Sequence, residues 1–247
     1  MNKLTRVEKK RRKKKFFRRI FLLLLLTFII YNALIRIELF NINKIEISGN
    51  INITEEQIIE KAGFNLGDNL FKINRFTIAN KLKKIGYIEK IDIDKVFPST
   101  IRIKIDERTP YVEVIFDKEY YVFDTNGILL EKRSEPLEKL TLISNYKIED
   151  IDEGQKLDTD SDLIDIFRDE KVIDVVRKIK SIDFADENNI KIILNKDIPV
   201  EFGSLYNLKY KLLELNEIIK DIEKKNIPTK MIIMNKGEYP ILVRDDN

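Results

Sequence analysis

The sequence predicts an α+β protein: a single N-terminal transmembrane helix, then two units outside the membrane, of which the second is mixed and β-rich. Three features carry that expectation. A dense basic run gives way to an uncharged apolar segment at residues 20–35. Beyond it, isoleucine-rich stretches alternate apolar and polar residues with the period of a half-buried strand. Stripes of helical period, introduced by capping signals, separate those stretches.

Residues 20–35 cover about 24 Å as a helix, short of the roughly 30 Å hydrocarbon layer. Phe16, Phe17, Ile37, Leu39 and Phe40 extend the apolar zone. Arg18, Arg19 and Arg36 flank it, with stems long enough to carry their charges to the interface. The transmembrane helix is therefore expected over residues 20–40. Residues 1–19 form a basic tail with eleven Lys and Arg against one acid, Glu8. The positive-inside rule puts that tail in the cytoplasm and the rest outside. A cleaved signal peptide shares the basic and apolar regions but wants an exit with small residues one apart. Here the exit reads Tyr31-Asn32-Ala33-Leu34-Ile35-Arg36, so an uncleaved anchor is expected.

The formal charge of +3 conceals an asymmetry. Eleven of the 45 Lys and Arg but one of the 42 acids lie in residues 1–19, so the remainder carries 34 bases and 41 acids, a net −7. A mildly acidic body argues against nucleic-acid recognition, which needs a basic face. The tail serves topology and attraction to anionic lipid head groups. The chain has no cysteine and no histidine, which excludes disulfides, thiol metal sites, the commonest metal ligand and the usual triad base. No nucleophile elbow, phosphate loop or dinucleotide fingerprint occurs. Neither cofactor nor metal is expected, and no enzymatic activity. Asp and Glu are abundant enough to supply a glycosidase pair, so a membrane-tethered hydrolase of cell-wall glycan is the alternative. At this density, however, they read as solvated surface.

Residues 42–48 alternate Ile45 and Ile47 with Lys44 and Glu46, predicting a strand that Gly49-Asn50 ends. Thr54-Glu55-Glu56-Gln57 fits a capping box and opens a short helix through Ile58, Ile59 and Ala62, which Gly63 stops. A second helix is expected from Asn74, with Ile78, Leu82 and Ile85 on one stripe and Gly86 closing it. Ile91 and Ile93, then Ile101, Ile103 and Ile105, predict two strands joined around Phe97-Pro98-Ser99. The order is β-α-α-β-β, with three strands against two helices.

That order directly after one span, Gly67-Asp68-Asn69-Leu70 before the second helix, and Gly86-Tyr87-Ile88 after it resemble the POTRA domain of the DivIB/FtsQ cell-division proteins. Phe97-Pro98-Ser99-Thr100-Ile101-Arg102-Ile103 and Glu107-Arg108-Thr109-Pro110 strengthen the resemblance. POTRA domains of outer-membrane assembly proteins are repeated and precede a barrel, and neither pattern is present. The resemblance implies a POTRA domain at 41–109, a β domain at 110–235 and a C-terminal tail at 236–247.

Beyond Pro110, strands are expected at 111–116 and 120–124, followed by Asp124-Thr125-Asn126-Gly127, which is similar to a D-x-x-G turn of the same family. Asn126-Gly127 also suits a hairpin turn by its own chemistry. Residues 140–143 sit where the family shows a short apolar strand ending in Thr-Gly, with Ser144-Asn145 in place of that ending and no turn assigned there. An acidic loop is expected at 149–162 and an amphipathic helix at 163–179, through Leu163, Ile166, Phe167, Val172, Val175, Val176 and Ile179. Strands follow at 182–184, 190–194 and 199–202. After Gly203-Ser204, Leu208, Leu212, Leu215, Ile219 and Ile222 form a core-facing helical stripe. Met231-Ile232-Ile233-Met234 suits a strand covered on both faces. Gly203-Ser204, Lys209, Lys211 and this strand again resemble the family, so the likeness spans residues 16–235.

The resemblance implies a bitopic scaffold at the division septum that binds DivIC/FtsB-type and FtsL-type single-span proteins and septal peptidoglycan synthases. Carried over, the interface falls on the last strand: Lys230, Met231, Ile232, Ile233, Met234 and Asn235, with Tyr239. An open strand edge can be extended by a partner strand. A membrane-bound sensor is disfavoured, because nineteen cytoplasmic residues cannot fold into an output domain.

Overall fold

The computed structural model describes residues 6–157, 166, 169–236 and 239–244. The chain divides into two compact units, one running to Leu82 and including Ile91–Ile105, the other made of Lys83–Lys90 and everything from Asp106 onward.

In the first unit, helix α1 spans Arg6–Leu34. Within it, Arg12–Leu34 has 23 residues, about 35 Å of helix, with six Lys and Arg ahead of the uncharged run from Ile20, and an 18-residue stretch of it reaches a mean hydropathy of 1.8, long and apolar enough to cross a bilayer. Residues 35–40, expected inside the span, leave the helix instead, and Glu38–Phe40 form a 3-10 turn. The buried Asn69 explains the break. Its amide nitrogen lies 3.4 Å from the Leu34 carbonyl, 3.5 Å from the Ile37 carbonyl and 3.3 Å from Asn41 Oδ1, taking up carbonyls that a continuing helix would use. Phe40 packs edge-on against Phe71, with ring centres 5.0 Å apart.

Strand β1 (Lys44–Ser48) leads to α2 (Glu55–Ala62) and α3 (Arg75–Leu82), then β2 (Ile88–Val96) and β3 (Thr100–Glu107). The predicted capping box is present: the Gln57 amide donates to Thr54 Oγ1 at 3.3 Å, and the Thr54 amide donates to Gln57 Oε1 at 2.9 Å. Gly63 ends α2 in the left-handed conformation, at φ 72°. The sheet order is β1-β3-β2, with β1 parallel to β3. Central β3 buries Ile101, Ile103 and Ile105 and exposes Arg102 and Lys104, as its alternation predicts. Each buried isoleucine contributes about 2 kcal/mol. Gly86 does not close α3, which ends at Leu82.

The second unit is a nine-stranded sheet backed by helices. A meander, β4 (Val112–Phe116), β5 (Glu119–Phe123) and β6 (Leu129–Arg133), precedes β7 (Thr141–Ser144), helix α4 (Glu170–Val176) and β8 (Ile179–Asp183). Then come β9 (Ile190–Leu194), β10 (Pro199–Gly203), helix α5 (Leu208–Lys225), β11 (Thr229–Ile233) and β12 (Ile241–Arg244). The sheet order is β12-β11-β10-β9-β8-β7-β4-β5-β6. Helix α4 connects parallel strands β7 and β8, and α5 connects parallel strands β10 and β11. One core joins Val172, Val175 and Val176 with the α5 stripe Leu208, Leu212, Leu215, Ile219 and Ile222 over the sheet.

Two details depart from the sequence reading, at the end of α4 and at Asn126, and two extend it. Leu163 and Phe167 lie outside the described residues, and the helix expected to reach 179 ends at Val176. Thr141 Oγ1 sits 2.7 Å from the Val176 carbonyl and 2.8 Å from the Ile179 carbonyl, so its proton meets the helix end and Ile179 starts a strand. The loop expected at 149–162 is largely exposed over 149–156, with 158–162 outside the described residues, and it is tied down where the Leu129 amide donates to the Gln155 carbonyl and the Leu157 amide to the Gly127 carbonyl. Asn145 takes φ 59°, which asparagine tolerates best after glycine, and its amide donates to Asp183 Oδ1 at 2.7 Å. In the Asp124 turn only Gly127 has positive φ; Asn126 does not.

Glu113 is 2% exposed on β4, and its Oε2 accepts from the Leu137 amide at 2.8 Å. Burial pushes its carboxyl up from 4.5, while the Leu137 amide and the Arg133 charge pull it back. A raised native pKa means that its stabilising effect is complete below about pH 4.5, the unfolded value, and fades as pH rises through the native value. Glu113→Gln should therefore flatten the decline in stability above pH 4.5, as measured by urea unfolding at a series of pH values. An unaltered pH profile would show that Glu113 does not set it.

Candidate protein–protein interface

At one end of the nine-stranded sheet, β11 pairs parallel with β10 through Val200–Ile232 and Glu201–Ile233. The Met234 amide extends the ladder by donating to the Glu201 carbonyl at 2.8 Å. On its other side β11 is covered by β12, with Met231 opposite Val243, Ile232 opposite Leu242 and Ile233 opposite Ile241. The strand predicted to be an open edge is therefore interior. Its edge is filled by residues expected to be tail, and β12 has a neighbour on one side only among the described residues.

The residues singled out from the sequence divide by burial. Ile232 is fully buried in the core and Met234 packs against it. Met231 and Ile233 are half-buried, with side chains on the face opposite Ile232. Lys230 is exposed at the point where the β11–β12 register shifts. Asn235 is exposed and donates to Asn189 Oδ1 at 2.9 Å. Tyr239, at the entrance to β12, is 80% exposed. Arg18 and Arg19 are exposed on α1, and Arg36 is exposed just beyond it.

Local chemistry holds this end of the sheet in place. Gly203 ends β10 at φ 90°, and a Cβ there would meet Asn235 Cβ at 2.9 Å. Lys211 Nζ donates to the carbonyls of Phe202 and Ser204 at 3.3 and 3.2 Å and lies over the Phe202 ring. Burial lowers its pKa. Lys209 pairs with Asp169 at 2.9 Å. Just after Gly203, Leu205, Tyr206, Leu208, Tyr210 and Leu213 line a groove of about 730 Å³, with Tyr206 and Tyr210 mostly exposed.

Sequence reasoning missed β12, although Ile241-Leu242-Val243 following Pro240 is a short β-branched run that signals a strand. Tyr206 and Tyr210 were overshadowed by the leucine stripe beside them. The exposed Tyr239, two residues before the apolar Ile241 of the β12 edge, gives the composition of a protein-binding patch. The two buried carboxylates among the described residues are Glu113 and Asp124. Glu113 is held by the Leu137 amide and Asp124 by Arg108 at 2.9 Å. Among the described residues no cluster of three acids could hold a metal.

Residues 40–108 match the POTRA domain of FtsQ type. The cell division protein DivIB of Clostridium botulinum strain Hall is 29% identical over 205 residues, covering 80% of this chain and 79% of that protein. DivIB of Clostridium tetani is 26% identical over 81% of this chain and 72% of its own length. DivIB of Clostridium botulinum strain Loch Maree is 35% identical over 43% of this chain and 42% of its own length. A solved extracytoplasmic domain of DivIB from Geobacillus stearothermophilus covers 48% of this chain at 14% identity and a TM-score of 0.33, too weak a likeness to carry the fold.

Proposed function

We propose that this chain is a member of the DivIB/FtsQ family of cell-division proteins and a bitopic, non-enzymatic scaffold of the division machinery. Its N-terminus lies in the cytoplasm and its two folded units lie outside the membrane, at the septum. There it binds DivIC/FtsB-type and FtsL-type single-span proteins and septal peptidoglycan synthases. The observation that carries the reading is the one-sided β12, flanked by the exposed Tyr239 and by Ile241 at 48% exposure. A partner strand added there would receive main-chain hydrogen bonds, while Tyr239, Ile241 and the Lys230 charge select its side chains. Ile232 and Met234 support that edge from the core rather than touch the partner. Anchoring both proteins in one bilayer raises their effective concentration, so a modest interface suffices.

The test measures binding of a DivIC-type partner to the full chain in detergent micelles. Ile241→Glu combined with Tyr239→Ala should weaken binding by about 10- to 100-fold, a loss of roughly 1.4–2.8 kcal/mol, without a change in unfolding temperature. Undiminished affinity with an intact fold would refute the edge as the interface. A hydrolase would instead show turnover of purified peptidoglycan, lost on changing a single Asp to Asn.

A further inference from the structure

The end of the first unit next to α1 carries apolar side chains that its core does not absorb. Ile37 is 44% exposed, Leu39 and Leu66 are each 62% exposed, and Phe97 is 55% exposed. Phe97 belongs to a cluster of rings: Phe40, Phe71 and Phe97 lie with centres 5.0, 5.4 and 6.3 Å apart. Backbone bonds tie the cluster to the end of the span. The Leu70 amide donates to the Phe40 carbonyl at 2.8 Å, the Ile42 amide to the Asp68 carbonyl at 2.8 Å, and the Gly67 amide to the Ile42 carbonyl at 2.8 Å. Asn69 reaches the Leu34 and Ile37 carbonyls themselves.

Phe40 is the sixth residue after Leu34, at most about 20 Å of chain away, and the Asn69 contacts shorten that reach. If α1 spans the bilayer, this patch sits at the bilayer surface. Cations accompany it along the chain: Arg36 beside Ile37, Lys72 beside Phe71, and Lys95 two residues before Phe97. Three acids stand beside these positions in the chain, Glu38, Asp68 and Asp94; Asp68 Oδ2 already accepts from the Asn65 amide at 2.8 Å, and Asp94 pairs with Arg75 at 3.7 Å. Apolar and aromatic side chains with cations beside them in the chain match the boundary between acyl chains and anionic head groups.

We propose that this end of the first unit is a lipid-binding surface, with Ile37, Leu39, Phe40, Leu66, Phe71 and Phe97 seated in the interfacial layer of the outer leaflet and Arg36, Lys72 and Lys95 at anionic head groups. It rests on the reading of α1 as a membrane span. Its consequence is mechanical: the unit is held against the membrane by its own side chains, beyond the tether that the span provides.

The chain contains no tryptophan, so a single introduced indole reports one position. Full-length Phe97→Trp, Leu39→Trp, Leu25→Trp and Ile51→Trp are reconstituted in vesicles of phosphatidylcholine and phosphatidylglycerol, with and without acyl-chain bromines. Ile51 is 84% exposed and lies past the far end of β1, about 16 Å of strand from the patch. Bromination should roughly halve the emission of Phe97→Trp and Leu39→Trp, leave Ile51→Trp unchanged, and quench Leu25→Trp in the span. Omitting phosphatidylglycerol should weaken the quenching of Phe97→Trp, and equal quenching without it would remove the cations from the proposal. A quenched Leu25→Trp with unquenched Phe97→Trp and Leu39→Trp overturns the proposal and leaves the span intact. Equal quenching at Ile51→Trp overturns it as well. An unquenched Leu25→Trp refutes the span reading itself, and the proposal with it.

Discussion

Asp124→Ala is expected to cost the second unit about 3–5 kcal/mol, because it breaks a buried pair and leaves its cation uncompensated. Asp124 is 3% exposed, and its Oδ2 accepts from Arg108 Nη1 at 2.9 Å. Its Oδ1 accepts from the amides of Asn126 and Ile128 at 2.8 and 2.9 Å, shaping the turn that leads into β6. Asp124→Asn keeps an acceptor for the turn amides and loses the charge, so it should fall between wild type and alanine. Hydrogen exchange of the β4–β6 amides in the full chain reads the loss locally. Protection unchanged by Asp124→Ala would show that the pair is marginal and that the turn is held by Gly127 alone.

Gly86→Ala should destabilise the second unit by about 1–3 kcal/mol, the usual cost of overpacking, or more. A Cβ at Gly86 would come within 2.6 Å of Leu130 Cα and closer still to the carbonyl oxygens of Leu129 and Leu130. All three are backbone atoms, so no side-chain rotation relieves the clash and β6 itself must move. Beside it, Tyr87 donates to Glu131 Oε1 at 2.7 Å, and the Arg108 amide donates to the Tyr87 carbonyl at 2.7 Å. Burial and the Glu131 carboxylate raise the Tyr87 pKa, which keeps the hydroxyl a donor. Gly67→Ala is the contrast. Its φ is 93° but nothing lies within 4 Å of the added carbon, so it carries only backbone strain, on the order of 1 kcal/mol. If both variants unfold at the same urea concentration, close approach is not what requires glycine at 86.

Local signals were legible because they act within a few residues. The Thr54–Gln57 box and Gly63, the alternation of Ile101, Ile103 and Ile105, and the leucine stripe of α5 all hold as read. The candidate interface was only half legible. Met231-Ile232-Ile233-Met234 is a strand, yet whether a strand is an edge depends on what pairs with it, and nothing within 231–234 reveals that Ile241-Leu242-Val243 folds back onto it. The run at 163–179 illustrates a second limit. Its helical period continues to Ile179, but the Thr141 hydroxyl, 35 residues away from Val176 in sequence, meets the carbonyls at the helix end.

By itself, the sequence determined the apolar N-terminal helix with its basic run, the β-α-α-β-β order of the first unit, the strand-rich character of the second, and the resemblance to the DivIB/FtsQ proteins. Each of these follows from hydrophobic period, charge and turn chemistry read along the chain. Only the tertiary structure decided that the span ends at Leu34, that Gly86 is a packing residue for β6 rather than a helix stop, and that β12 is the exposed edge. These depend on groups distant in sequence, such as Asn69 on Leu34, Leu130 on Gly86 and Ile241 on Ile233. Chain folding brings those atoms within a few ångströms of one another, where sterics and hydrogen bonding override local preference.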